Sequence, residues 1–132
     1  MPAGRVVLAG ARAVDTAERR RLDASAVIEL GPGETGRLGT RLPLAERMSL
    51  HIDLDVLDPA FVQANPYAVP PGISPDDVLD AVRAVATRSR LAALTLSAYD
   101  PAFDHSAGVR EAALAALRLV GGQLTTAAPV RA

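Results

Sequence analysis

Four short apolar runs, at Arg5 to Ala9, Ala26 to Leu30, Ser49 to Asp55 and Ala92 to Ser97, constrain the fold more than any other feature of the chain. Each is bounded by glycine, proline or charge and is short enough to be a strand. Most are nearly continuous apolar stretches, the pattern of strands buried on both faces in a parallel sheet covered by helices. Helix signals fall between them. Asp15 with Glu18 has the form of a capping box, followed by Ala17 and Leu22 directed toward a core. Ser74-Pro75-Asp76-Asp77 supplies a serine cap, a proline at the first helical position and two acids at the positive end of the helix dipole. Beyond it, Val78, Leu79, Val82, Val85 and Ala86 share one face. A last helix is expected from near Ser106, burying Val109, Ala113, Leu114, Leu117 and Val120 and stopping at Gly121-Gly122. Gly31 to Arg47 reads as a loop with a short helix near Leu44, and the tail after Thr125 as frayed. The alternation gives an α/β domain, three layers α/β/α around a mostly parallel sheet with right-handed crossovers.

Composition narrows the function classes. At 132 residues the chain is one domain, and 49% hydrophobic against 22% charged residues calls for a packed core. No lysine occurs, and the arginines are offset by 15 acids to a net charge of -1, so no nucleic-acid face is implied. The run Arg19-Arg20-Arg21 lies beside Glu18 and Asp23 and reads as a solvated helix face. The absence of cysteine excludes disulfides, thiolate metal sites and cysteine nucleophiles. No signal sequence or membrane-length apolar run is present, which makes a cytoplasmic protein the default.

The chemistry concentrates in Ser49-Leu50-His51-Ile52-Asp53-Leu54-Asp55. Strand alternation puts Leu50, Ile52 and Leu54 on one face and His51, Asp53 and Asp55 on the other. In α/β sheets ligand sites lie beyond the carboxyl ends of strands, and the two aspartates come just before the turn at Asp58-Pro59. Adjacent carboxylates repel and are costly to desolvate unless a cation neutralises them. Oxygen ligands suit magnesium, calcium or manganese, while added imidazole shifts the preference to a first-row transition ion. The competing reading is structural, with the acids capping the next turn or pairing with arginine. It is preferred for Asp58, which precedes proline. His51 sits deeper and reads as a packed or supporting histidine. His105 stays open between surface, supporting and ligand roles. A phosphate-transferring Asp-x-Asp enzyme is disfavoured, since no glycine-rich loop follows the first strand and lysine is lacking.

The run His51 to Pro59 resembles the ureohydrolase signature of arginases, agmatinases and formiminoglutamases, Ser-x-Asp-x-Asp-x-x-Asp-Pro, with His51 in place of the serine. Val7 to Asp15 is similar to the family's Gly-x-Arg-x-x-Asp strand and turn, with Glu18 at the following acidic position. Val69-Pro70-Pro71-Gly72-Ile73-Ser74 resembles the entry to the next helix, Pro-Gly-Gly-Leu-Ser/Thr, and Thr95 to Asp104 the strand ending Glu-x-Asn/Ser-Pro. From about residue 5 to 119 the order of motifs is that of the family's C-terminal part, so the resemblance implies a single partial domain over 1–132, truncated at its N-terminal side, with residues 125–132 as a tail. It implies Asp53 and Asp55 as ligands of a manganese pair, with His51, Asp58 and Asp100 in supporting or substrate-side roles, and a guanidino or amidino substrate. The family's Gly-Gly-x-His and Asp-x-His-x-Asp motifs, which supply four further ligands, do not occur in these residues. Ala98 stands where arginases place a glutamate, Asp100 where they place Asn or Ser, and the stretch from Asp58 to Pro70 has no Gly-Thr-Gly run. The catalytic residues are therefore left unassigned, and the alternative is a non-catalytic α/β structural or assembly protein of the same descent with at most a weak metal site. An incomplete sheet exposes an edge and apolar helix faces, which favours self-association, as does the family's oligomeric habit.

Overall fold

The computed structural model describes residues 2–125; the tail expectation lies outside them. Strands β1 (Val7–Ala9) and β2 (Ile28–Leu30) pair in parallel, with Val7 opposite Ile28. Between them runs helix α1 (Thr16–Asp23), and its capping box is present: the Asp15 carboxylate accepts from the amides of Ala17 and Glu18 at 2.7 and 2.8 Å, while Glu18 accepts from the Asp15 amide at 3.1 Å. Strands β3 (Arg47–Asp53) and β4 (Arg90–Ser97) form a second parallel pair, joined through helix α3 (Pro75–Arg88). Ser74 caps α3 as expected, accepting from the Asp77 amide, and Asp77 returns a carboxylate to the Ser74 amide. Helix α4 (Gly108–Thr125) packs on α3 and β4. Among the described residues both strand pairs are parallel and form two separate two-stranded sheets where one sheet was expected, and the α/β class holds.

The core collects Ile52 and Leu54 from the β3 end, Leu57, Ile73, Val78, Val82 and Val85 around α3, Leu91 from β4, and Val109, Ala116 and Val120 from α4. Leu57, Leu91, Val82, Val109 and Val120 are its fully enclosed large side chains.

Several expectations need correction. The short helix α2 (Leu38–Arg41) comes earlier than Leu44, because Leu38 and Leu42 carry the buried face and Pro43 follows; Leu44 is 91% exposed. Helix α4 runs through Gly121-Gly122 to Thr125. Its buried stripe is Val109, Ala112, Ala116 and Val120, and Leu114 and Leu117 are 41% and 45% exposed. Alanines let α4 lie close to its neighbours, and the leucines on the adjoining face are left over. Ala17 is exposed and α1 buries none of its residues fully. Finally, β3 is covered on one face only: Ser49, His51 and Asp53 are exposed while Ile52 is buried.

Candidate metal centre

The strand ends one residue pair sooner than alternation suggests. Asp53 closes β3, and Leu54 to Val56 form a single 3-10 turn, so Asp55 belongs to that turn. Asp53 caps it, its carboxylate accepting from the Asp55 amide at 3.2 Å. The structural role and the shared location of the two acids therefore coexist. Asp53 is exposed and Asp55 half-buried. Burial pushes the Asp55 carboxyl above the ordinary range, and the neighbouring Asp53 charge and hydrogen bond push it further. Opposing this are the charge of Arg12 and a hydrogen bond from the Asn65 side chain. This is the electrostatic situation a bound cation relieves. Among the described residues no third His, Asp or Glu joins the pair in a metal-sized cluster.

The surrounding turns are tightly built. Asp58 uses both carboxylate oxygens on backbone, accepting from Ala60 at 2.8 Å and Gly72 at 2.7 Å, which holds its pKa below the ordinary range. Leu57 bridges Ile73 in parallel, and the Asp58 amide donates to the Ile73 carbonyl at 3.0 Å. The approach is so close that a Cβ on Gly72 would lie 2.5 Å from the Asp58 Cα. At the end of β1, Gly10 has φ +74, and a Cβ there would stand 2.8 Å from a Val56 methyl. Both glycines are thus required where the turns behind the aspartates meet.

The other singled-out residues take separate places. His51 lies on the open face opposite Thr95, with its Nε2 3.2 Å from the Ser97 Oγ. Asp100 shapes its own turn, accepting from the Ala102 amide at 2.9 Å, and its amide donates to the Ala64 carbonyl at 2.8 Å. His105 is exposed. Neighbouring Asp104 is buried and caps α4, accepting from the amides of Val109 and Arg110 and from the Tyr99 hydroxyl; burial, and then this hydrogen bond, raise the tyrosine pKa. Ala98 follows the β4 terminus with φ 61 and brings only a methyl group. Two contributors had no independent signal in the sequence. Buried Asn65 donates to the Ala98 carbonyl at 2.8 Å and accepts from Tyr67 and Ala68, tying the loop to the β4 end beside Asp55. Arg12 was only one letter of a motif, yet its guanidinium reaches the Asp55 carbonyl.

The sequence profile of the Arginase family matches residues 1–124. The chain belongs to the arginase family. Among solved structures, arginase from Bacillus subtilis is 24% identical, with a TM-score of 0.76 over 91% of this chain and 45% of its own. Formimidoylglutamase from the same organism is 18% identical, with a TM-score of 0.80 over 95% of this chain and 43% of its own. Entamoeba histolytica arginase, solved in complex with L-ornithine, is 18% identical, with a TM-score of 0.76 over 92% and 44%. These likenesses carry the fold, and this arginase-family chain spans under half the length of those proteins. No curated protein matches it. No helix among its described residues is long and apolar enough to cross a membrane.

Proposed function

We propose that this chain is the C-terminal portion of a manganese-dependent, cytoplasmic hydrolase of C–N bonds in linear guanidino or amidino compounds, incomplete or inactive in isolation. The observation that carries this reading is the convergence of Asp53 and Asp55 at the end of β3 in an arginase-family chain. The donor set fits manganese as far as it goes: two oxygen ligands, one half-buried and destabilised as an anion by the other. Asp53 and Asp55 would hold the metal. When bound, a manganese pair supplies hydroxide near neutral pH by lowering the pKa of water.

The remaining groups orient this pair. Asp58 fixes the turn behind it through Ala60 and Gly72. Asn65 hydrogen-bonds Asp55 and pins the β4 end. His51 and Asp100 serve the substrate side or support the turns, and residues 125–132 form a tail outside the partial domain. The four further ligands come from Gly-Gly-x-His and Asp-x-His-x-Asp segments outside these 132 residues. Among the described residues β1 and β3 each pair with one strand only, which leaves each an edge for an added strand or a second copy of the chain.

A second reading, a non-catalytic family member, is favoured by one observation. Ala98 puts a methyl group where arginases carry a glutamate that contacts the substrate guanidinium. Urea release from arginine and agmatine with added manganese, measured on this chain and on a version extended upstream through the missing motifs, separates the two. Release by the extended version alone is the expected result. An extended version that binds manganese and releases no urea from either compound supports the non-catalytic reading.

A further inference from the structure

Arg12 has an unusual set of partners. Its Nε donates to the Val69 carbonyl at 2.8 Å, Nη1 to the Gly10 carbonyl at 3.3 Å, and Nη2 to the Asp55 carbonyl. These three acceptors are backbone oxygens from three separate segments: the turn leaving β1, the loop that returns to α3, and the turn that carries Asp55. None is a side chain. The planar guanidinium is the one side-chain group with enough fixed donors to hold three carbonyls at once. Gly10 admits the contact, because any Cβ there would strike Val56 in the same Asp55-bearing turn. Arg12 also places its charge near Asp55, where it opposes the effects of burial and of Asp53. One residue from the turn after β1 thus both locks the backbone of the acidic turn and offsets the repulsion within it.

We propose that Arg12 is a positioning residue for the Asp53–Asp55 pair, a three-way clamp that fixes the direction of the Asp55 carboxylate before any ion arrives. Its effect on metal rests on the reading of the pair as ligands, whereas its effect on the turn does not. The Arg12 charge works against a bound cation and the fixed turn works for it, and in this proposal geometry outweighs charge. A loose turn would have to be ordered at the moment of binding.

The test compares the 132-residue chain with Arg12→Ala, Arg12→Lys and Ser74→Ala. Manganese affinity is read by calorimetry, and amide hydrogen exchange is followed at Asp55, Tyr67 and Ala68. Ser74→Ala removes a helix cap elsewhere and so controls for general loss of stability. Arg12→Ala is expected to weaken manganese binding roughly tenfold or more, the scale of lost outer-sphere support, and to speed exchange at those three amides. Arg12→Lys, which keeps the charge but not the planar fork, is expected not to restore either and stands in should the alanine variant fail to fold. Ser74→Ala is expected to leave both near wild type. A smaller loss of affinity in the Arg12 variants, or full rescue by lysine, overturns the proposal. If the unmodified chain takes up no manganese, the ligand reading fails, and exchange decides the clamp by itself. Unchanged exchange in the Arg12 variants overturns it, and faster exchange confined to them sustains it.

Discussion

Among the described residues are two strand–helix–strand units with the same parallel pairing and very different investment in packing. In the first, three-residue strands flank an eight-residue helix that buries nothing fully. Its helix is held by a capping box and by surface ion pairs of Arg19 with Asp23 at 2.8 Å and Glu29 at 2.5 Å. In the second, strands of seven and eight residues flank a fourteen-residue helix whose Val78, Val82 and Val85 are buried under α4. Exposed ion pairs contribute little, whereas enclosed aliphatic side chains contribute most of the stability. The second unit is the scaffold, and the first brings Gly10 and Arg12 to the acidic turn.

Truncating one leucine in each unit tests that division most strongly. Leu91→Ala, in the fully enclosed core, is expected to cost about 2–5 kcal/mol by denaturant unfolding, and Leu22→Ala, a half-buried residue of the mostly exposed α1, about 1 kcal/mol or less. Equal losses would erase the contrast between the units.

A smaller effect is expected at the junction. Gly72→Ala forces a Cβ onto the Asp58 backbone and should cost about 1–3 kcal/mol, while Gly33→Ala, with open space around it, should leave the melting temperature nearly unchanged. A tolerated Gly72→Ala would mean that the turns behind the aspartates are less tightly joined than their geometry indicates.

The smallest of the three lies at the α3 cap. Ser74→Ala should cost about 1 kcal/mol. Asp77 adds a pH signature: its hydrogen bonds with Ser74 hold its pKa below the ordinary value, so its stabilisation is present above the unfolded-state pKa and is lost as pH falls through the folded-state pKa. The difference in melting temperature between wild type and Asp77→Ala should therefore be seen near neutral pH and shrink on acidification. A gap that stays constant with pH would show that the carboxylate charge plays no part.

How much of this was legible depended on whether a feature is local. The caps at Asp15 and Ser74 were, because a cap is written in four consecutive residues. The four strand positions and their parallel pairing followed from apolar runs with helical segments between them. The face of α4 was not, since Val109, Ala112, Ala116 and Val120 and the leucines make two comparable stripes, and only the close approach of neighbours selects the alanine-rich one. At the site, the side of β3 on which His51 and Asp53 lie was readable from alternation, but the 3-10 turn that moves Asp55 off the strand was not. Asn65 and Arg12 act through carbonyls 33 and 43 residues away along the chain, a range at which a single sequence has no pattern to show.

The central claim is that Asp53 and Asp55 form the metal-holding part of this chain, and a calorimetric titration of manganese into wild type and the Asp53→Asn/Asp55→Asn variant tests it most directly. The expected result is weak, saturable uptake by wild type that disappears in the variant, with the variant as stable as wild type or more so because the carboxylate repulsion is gone. Absence of heat from wild type at millimolar manganese, or equal heat from both proteins, would contradict it.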